Sequence, residues 1–409
     1  MSERKDQRGE FPCLDALRAL GALAVVGTHV GFNTGRVSRG PFAASIARLD
    51  CGVAVFFVLS GFLLFRPYVL AALTLPVGSM PRPALGVYLR RRAVRILPAY
   101  WLAVSACMLL LPAIGAARGP AGLLRHLTLT QIYSVGIAHR GLTQTWSLCT
   151  EVAFYLALPL LARVVLLGGG RRWTVLSLSV LGLASAAWNP LLNSTGLLDI
   201  RTAGLWLPGY LDWFLAGMAM ALAQVRLAGG SVPGRGLARL RELADSPASC
   251  WGAAVAVFAV ATSPLAGPTT IRAVVDVPTS TTILVKNVLY LLLAVLLLLP
   301  MVLGPQEEGM LRRVLASRPL RRLGRGSYGI FLWHLGVLEV VIRLRHQQLF
   351  TGSWLVGMAV TVPITVAIAE ASYRFVEAPL LRGRRTAVAV PRPRTSPDQT
   401  APSPTRQSA

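Results

Sequence analysis

Long apolar segments separated by short polar stretches occupy almost the whole chain. About ten of them are long enough to cross the roughly 30 Å hydrocarbon core of a membrane as helices. They lie near residues 13–32, 52–70, 96–114, 147–166, 173–188, 205–225, 251–265, 283–303, 328–345 and 353–375. The fifth and the seventh of these segments are the shortest. The pattern predicts an all-α, polytopic integral membrane protein with about ten transmembrane helices.

The two ends of the chain depart from this pattern. Residues 1–10 are charged and predict a cytoplasmic N-terminal tail, whereas residues 384–409 are rich in Pro, Ser, Thr and Arg and predict a disordered cytoplasmic tail. We expect residues 11–383 to form one membrane domain. The first apolar run has no small-residue cleavage site, so we expect a retained helix rather than a signal peptide. The longest outer connection, around 115–146, is expected to contain a short interfacial helix.

Composition and charge support a membrane location. Only 14% of the 409 residues are charged, against about 25% in an ordinary soluble domain. The formal net charge is +24, yet about 29 of the 41 Lys and Arg side chains fall in segments predicted to be cytoplasmic and about 10 in outer loops. This asymmetry predicts cytoplasmic termini, contact with anionic lipid and a place in the cell membrane. It argues against nucleic acid as the partner.

Arg18 and His29 are two ionisable side chains inside the first apolar segment. Such groups are costly in hydrocarbon, so a functional site is the default hypothesis. Eleven helical steps bring the two side chains back to nearly the same face, about 16 Å apart along the axis. The pair can therefore line one side of a tunnel. The alternative is that Arg18 reaches the membrane surface and His29 is a hydrogen-bonded core histidine.

Arginines cluster at the predicted cytoplasmic start of the third apolar segment. Arg92 and Arg95 are three residues apart and share a helix face, and Arg91 is next to them. Guanidinium groups in this arrangement can bind phosphates in a bidentate manner. The alternative is that they anchor the helix at the cytoplasmic surface, as the positive-inside rule expects.

Three residues of the second and fourth apolar segments are candidates for packing or polar contacts. Ser60 and Gly61 form a step that favours close helix packing, since Gly allows backbones to approach and Ser can bond to its own helix. Glu151 needs a partner if it lies in an apolar helix. We expect Glu151 either to orient and charge-stabilise His29 or to bind a sugar hydroxyl. The alternative is an exposed acid at a loop end.

The remaining histidines differ in their positions. His334 lies about 10 Å into the ninth apolar segment, after Tyr328. It is either catalytic or a packed, hydrogen-bonded side chain, and both residues are candidates for a supporting role. His126, His139 and His346 fall in predicted outer loops, and the sequence assigns them no specific role.

The five cysteines carry no metal-binding or disulfide signature. They are scattered along the chain, without any CxxC or Cys/His spacing. We therefore expect neither a disulfide framework nor a metal site.

Six sequence blocks, in this order, resemble the membrane-bound acyltransferase-3 family of multi-pass O-acyltransferases. They are LDALRALGALAVVGTHV, GVAVFFVLSGFLL, YLRRRAVRILPAYW, WSLCTEVAFY, SYGIFLWHL and YRFVEAPL. The resemblance runs from about residue 11 to 383. Many members have a hydrolase-like domain after the last span, and the present chain is expected to be the stand-alone form.

The resemblance implies roles for individual residues. Arg18 and His29 match the essential pair of the family's first helix. Arg92 and Arg95 match the element thought to hold the acyl donor. The Ser-Gly-Phe block of the family corresponds to Ser60, Gly61 and Phe62, and the acidic residue of its Trp-Ser-Leu block corresponds to Glu151.

The resemblance also implies an activity. We expect an acyltransferase that moves an acetyl or other short acyl group from acyl-CoA to a hydroxyl of a glycan, glycolipid or antibiotic sugar. Acyl-CoA, with acetyl-CoA first, is then a donor substrate and not a permanently bound cofactor. His29 is the expected general base, which typically contributes about 10²–10⁴-fold to the rate. A covalent acyl-histidine relay is the alternative mechanism.

A proton-coupled transporter or flippase is the alternative function. Ten spans with a His and a Glu near the middle of the membrane also suit such a carrier. The sequence has no evident inverted repeat and no paired Gly- or Pro-broken helices, which counts against it.

Overall fold

The computed structural model describes residues 11–74, 85–111, 119–134, 139–168, 170–229, 234–269, 279–305 and 309–382. The two predicted tails, residues 1–10 and 384–409, lie outside these ranges. The limits predicted for the membrane domain therefore stay predictions.

The described residues form a helical bundle. The helices of more than ten residues are α1 (Pro12–Asn33), α2 (Gly52–Thr74), α3 (Leu85–Leu110), α4 (Trp146–Leu166), α5 (Arg171–Thr195), α6 (Leu211–Ala228), α7 (Arg235–Asp245), α8 (Pro247–Ala261), α9 (Ser280–Leu303), α10 (Ser327–Leu344) and α11 (Trp354–Ser372). Short α-helices cover Ala43–Ala47, Pro120–Leu127, Ile200–Ala203, Met310–Leu315, Arg318–Arg325 and Ala378–Arg382. Turns of 3₁₀ helix cover Arg36–Ser38, Arg48–Cys51, Gln131–Tyr133, Thr143–Thr145, Leu207–Tyr210 and Pro264–Ala266, and a π-helical turn covers Tyr373–Glu377.

The helix count confirms the predicted fold class. Within the described ranges, nine helices are long and apolar enough to cross a membrane, and α7 with α8 supplies a tenth if this pair, bent by 88°, is one span. The predicted short segment at 173–188 belongs to the 25-residue helix α5, which continues past Pro190. The short helix predicted in the outer connection is confirmed as Pro120–Leu127.

Helices α2 and α6 pack with their backbones almost in contact. A Cβ atom on Gly61 of α2 would lie 2.0 Å from the carbonyl oxygen of Phe214, and one on Gly217 of α6 would lie 2.0 Å from that of Val58. Phe57 stacks on Phe214 beside this crossing, with ring centroids 4.5 Å apart. The packing role predicted for Gly61 is confirmed, because no larger side chain fits there.

Two fully buried arginines tie distant parts of the bundle together. Arg48 lies before α2 and Arg312 after α9, and both are about 95% buried. A guanidinium inside a membrane protein needs acceptors within the protein, because hydrocarbon offers none. The carbonyl oxygens of Ala261, Ala266 and Gly267 accept from Arg48, and those of Ala244 and Pro300 accept from Arg312.

Helix α1 lies at the centre of one side of the bundle, between α2, α10 and α11. Gly324, just before α10, approaches the backbone of Asp15 so closely that a Cβ atom would lie 2.1 Å from the Asp15 carbonyl oxygen. On the outer half of α1, the Trp354 indole donates to the carbonyl oxygen of Gly27 at 2.9 Å. The contact between Gly324 and Asp15 places the start of α10 beside the start of α1, and the two helices pack side by side. Trp354 joins the outer half of α1 to α11.

The contact between α2 and α6 predicts a specific sensitivity to one methyl group. Gly61→Ala should destabilise the purified protein by about 1–3 kcal/mol, because the backbones must separate to admit the methyl group. The matched control is Gly182→Ala on α5, since a Cβ atom there meets no atom within 4 Å. Thermal unfolding in detergent measures the difference. Equal unfolding temperatures for the two variants would contradict the packing described for α2 and α6.

Candidate active site

Arg18 and His29 lie on one uninterrupted helix, as the sequence predicts. Helix α1 begins at Pro12, whose missing N–H is not needed in the first turn, and continues through Asn33. Arg18 is in the half nearer the predicted cytoplasmic surface and His29 in the outer half. Both side chains are half-buried.

His29 contacts a second histidine, His334 of α10. Its Nδ1 atom lies 3.2 Å from Nε2 of His334, and the two ring centroids are 5.0 Å apart at an interplanar angle of 52°. His334 is fully buried. The two residues are 305 positions apart in the chain, and the side-by-side packing of α1 and α10 brings them together.

The neighbouring carbonyl groups determine which ring nitrogens carry protons. Nδ1 of His334 lies 2.6 Å from the carbonyl oxygen of Phe331, and Nδ1 of His29 lies 2.8 Å from that of Val25. A carbonyl oxygen only accepts, so each Nδ1 is the donor. When both rings are neutral, the single Nδ1–H of His29 is shared between the Val25 carbonyl oxygen and Nε2 of His334 in a three-centre hydrogen bond. Nε2 of His29 then keeps a free lone pair, which is what a general base requires.

A cavity in the middle of the bundle contains the other predicted polar residues. The volume in it that is open to water-sized molecules is about 60 Å³. Arg18, Ser60, Glu151 and Tyr328 line it, together with apolar side chains of α2, α4 and α10. The structure thus brings together candidates from four different helices.

Two aromatic rings line this cavity, and one of them also contacts the histidine pair. Phe56 and Phe331 contact each other edge to face, with ring centroids 5.8 Å apart. The Phe331 ring also lies 5.8 Å from the His334 ring. The cavity lining includes Arg18 but not His29, so the predicted tunnel along one face of α1 does not extend to His29 as one cavity.

Glu151 has partners other than His29. Its carboxylate accepts hydrogen bonds from the hydroxyl groups of Ser60 and of Tyr155, the latter at 2.7 Å. The prediction that Glu151 orients His29 is therefore wrong, because His334 and the Val25 carbonyl occupy that position. Ser60 bonds to α4 and not to its own helix, so it joins α2 to α4. The other prediction for Glu151, contact with a sugar hydroxyl, stays a prediction.

The arginine cluster on α3 lies beside the cavity at its predicted cytoplasmic end. Helix α3 is held there by two tyrosines, since the Tyr328 hydroxyl donates to the carbonyl oxygen of Ile96 and that of Tyr88 to the carbonyl oxygen of Tyr155, at 2.9 and 3.1 Å. Arg91 and Arg95 are exposed and Arg92 is half-buried.

Arg18 itself is a cavity-lining cation without a direct partner. Among the described residues, the ion pairs are Lys286–Asp50 and Arg322–Glu370, and no hydrogen bond from the Arg18 guanidinium is found. Asp15 of the same helix is therefore not an ion-pair partner of Arg18 among the described residues. Arg18 is free to bind an anionic or carbonyl group that enters the cavity.

The sequence did not reveal two of these contacts. The pairing of His29 with His334 leaves no sequence signal, because one chain alone does not tell which helices pack together. Tyr155 was also missed, although it lies four residues after Glu151 on the same helix, a spacing at which side chains meet.

Comparison with known proteins places the chain in a family. A family model described as an acyltransferase domain, that of the acyltransferase-3 family, matches residues 11–370. The chain is also similar to the protein named "Putative peptidoglycan O-acetyltransferase YrhL" of Bacillus subtilis (strain 168), with 27% identity over 399 residues. That match covers 90% of this chain and 55% of the relative, so the chain spans about half the length of the relative. No solved structure matches the chain.

The family match identifies the family of the chain. It covers most of the chain, and the nine or ten candidate spanning helices of the described residues are those of a multi-pass membrane protein. The chain belongs to the acyltransferase-3 family and is a multi-pass membrane protein.

Proposed function

We propose that this protein is an acyltransferase, rather than a transporter or flippase, and that it moves an acetyl or other short acyl group from acyl-CoA to a hydroxyl group of a carbohydrate acceptor in the cell membrane, with His29 as the general base. The observation that carries the proposal is the contact of His29 with His334, which leaves Nε2 of His29 as a free proton acceptor. The name of the Bacillus subtilis relative supports an acceptor of the peptidoglycan type.

The donor is proposed to bind from the cytoplasmic side. Arg92 and Arg95, with Arg91 beside them, attract the phosphates of acyl-CoA, because guanidinium groups bind phosphate by charge-assisted hydrogen bonds. The pantetheine arm then extends into the cavity lined by Arg18 and Glu151. Arg18 is the cation nearest to that arm and helps to anchor the donor.

The chemical step is proposed to take place at His29. The Phe331 ring turns aside and admits the thioester to the histidine pair. Nε2 of His29 takes the proton of the acceptor hydroxyl as the hydroxyl oxygen attacks the thioester carbonyl. The C–S bond then breaks, the new ester bond remains, and the proton passes from His29 to the leaving thiolate of CoA. His334 stabilises the protonated ring, because its Nε2 atom accepts from His29 Nδ1.

Glu151 is proposed to shape the cavity through its two hydroxyl partners. Its carboxylate holds Ser60 of α2 and Tyr155 of α4 in place. The same carboxylate can accept from a sugar hydroxyl, since it has lone pairs beyond those used by these two donors.

Substitution of the two histidines tests the base. His29→Ala should reduce the transfer of label from acetyl-CoA to extracted glycan by about 10²–10⁴-fold, the usual contribution of a general base. His334→Ala should reduce it less, by about 10–100-fold, as expected for a residue that orients another. The measurement compares variants at matched levels in membranes.

The matched control is His346→Ala, because His346 is exposed in the outer loop after α10 and is expected to leave transfer unchanged. Equal incorporation by wild type and His29→Ala would contradict the role of His29. In that case His334 or Glu151 would become the candidate general base.

Substitution of the α3 arginines tests the donor site. The double variant Arg92→Gln/Arg95→Gln should raise the KM for acetyl-CoA by about tenfold or more, because each charge-assisted hydrogen bond is worth about 1.5–3 kcal/mol. With acetyl-pantetheine, which lacks the nucleotide phosphates, the double variant and the wild type should have the same KM. The control is Arg239→Gln on α7, an exposed arginine elsewhere on the predicted cytoplasmic surface. A KM that rises equally for both donors would refute phosphate binding by this pair.

A further inference from the structure

A second cavity lies among the loops on the predicted outer side of the bundle. Its walls come from the helix Pro120–Leu127, the turns Gln131–Tyr133 and Thr143–Thr145, and the helix Ile200–Ala203. The volume in it that is open to water-sized molecules is about 310 Å³. Sequence patterns assign no role to the histidines of this region, and neither the family match nor the relative assigns one.

Two buried histidines, His126 and His139, line this cavity. Each is 1% exposed, and their ring centroids are 6.2 Å apart. Nδ1 of His126 lies 2.8 Å from the carbonyl oxygen of Gly122, and Nδ1 of His139 lies 2.7 Å from that of Arg140. Each Nδ1 is therefore the donor, and in the neutral ring Nε2 is an acceptor. Burial lowers the pKa of His126, which favours its neutral form.

Two buried acceptor atoms in the lining of this cavity have no hydrogen-bond donor among the described residues. Nε2 of His139 is buried and has no hydrogen-bond partner among the described residues, and the same holds for Oε1 of Gln131. The amide nitrogen of Gln131 donates to the Thr145 hydroxyl at 3.0 Å, which fixes the side chain with its Oε1 unpaired. Buried acceptors are rarely left unpaired in proteins, so these atoms indicate a ligand that brings hydroxyl or amide donors.

The other lining residues limit which chemical class of ligand suits the cavity. Trp146 and Leu205 are lining residues, and an aromatic side chain suits the apolar face of a sugar ring; Thr143 is a further, hydroxyl-bearing lining residue. Arg201 is in the same lining, and its positive charge disfavours a metal cation. A neutral or anionic polyhydroxyl compound fits this combination of groups.

The second cavity adjoins the first one through the start of α4. Trp146 lines the outer cavity, whereas Ser147 and Leu148, the next two residues, line the cavity of Arg18. The Trp146 ring contacts that of Phe57 edge to face, and Phe57 also lines the inner cavity. A ligand in the outer cavity is therefore separated from the inner one by a single layer of side chains.

We propose that this outer cavity is the binding site of the acceptor sugar, whose hydroxyl and amide groups donate to His139 and Gln131 while a ring face rests on Trp146. The inference rests on the proposed function, because it supplies the second substrate of that reaction. It places the acceptor on the outer side of the membrane, opposite the arginines that are proposed to hold the donor.

Direct binding without any donor tests the site. The probe is the tritiated disaccharide of N-acetylglucosamine and N-acetylmuramic acid, and the protein is the full chain in lipid nanodiscs. The wild type should show saturable binding at millimolar concentrations or below. His139→Leu should weaken the binding at least about fivefold, since it removes one buried acceptor. Thr143→Val, a nearly isosteric change at an exposed position, should weaken it about threefold and does not endanger folding.

The matched control for His139→Leu is His346→Leu, another outer-loop histidine, which should bind the disaccharide as the wild type does. Absence of saturable binding by the wild type, or equal binding by wild type, His139→Leu and Thr143→Val, would overturn the proposal. Because no donor is present, the result does not depend on His29 chemistry. Binding that depends on His139, without acyl transfer, would refute the proposed function and leave the sugar site intact.

Discussion

Polar side chains inside a membrane bundle must find their partners within the protein, because hydrocarbon provides none. This constraint explains why Arg48 and Arg312 donate to backbone carbonyl groups of distant helices. It also explains the contact of His334 with His29, in which each histidine uses one ring nitrogen on a carbonyl oxygen. Among the described residues, the polar groups left without a partner include the Arg18 guanidinium, Nε2 of His29 and two acceptor atoms of the outer cavity.

These unpaired groups lie in an order that suits a reaction between substrates from two sides. The α3 arginines are at the predicted cytoplasmic end, where a phosphate-bearing donor arrives. The central cavity follows, with Arg18 and Glu151 in its lining, and the histidine pair lies behind Phe331. Trp146 of α4 lines the outer cavity, and the next residue, Ser147, lines the central cavity. Helices α1 and α4 thus contribute residues to most of these sites, and α10 supplies both His334 and Phe331.

Much of the fold could be predicted from the sequence, because hydropathy alone reports which helices span a membrane. The placement of Arg18 and His29 on one helix, the close packing at Gly61 and the short helix that contains His126 all follow from local patterns. Contacts between helices do not follow from such patterns. The sequence therefore offered Glu151 as the partner of His29, whereas the packing of α1 against α10 supplies His334. The burial of His126 and His139 could not be predicted from the sequence either, since it depends on how the outer connections pack.

The central claim is that His29 and His334 act as one proton-accepting unit. A double-mutant cycle measures this most directly, with kcat/KM for acetyl transfer determined for His29→Ala, His334→Ala and the double variant. Residues that act as a unit give strongly non-additive losses. We expect the double variant to be no slower than His29→Ala alone, because His334 has no ring to support once His29 is gone. Losses that multiply in the double variant would show that the two histidines act independently and would contradict the claim.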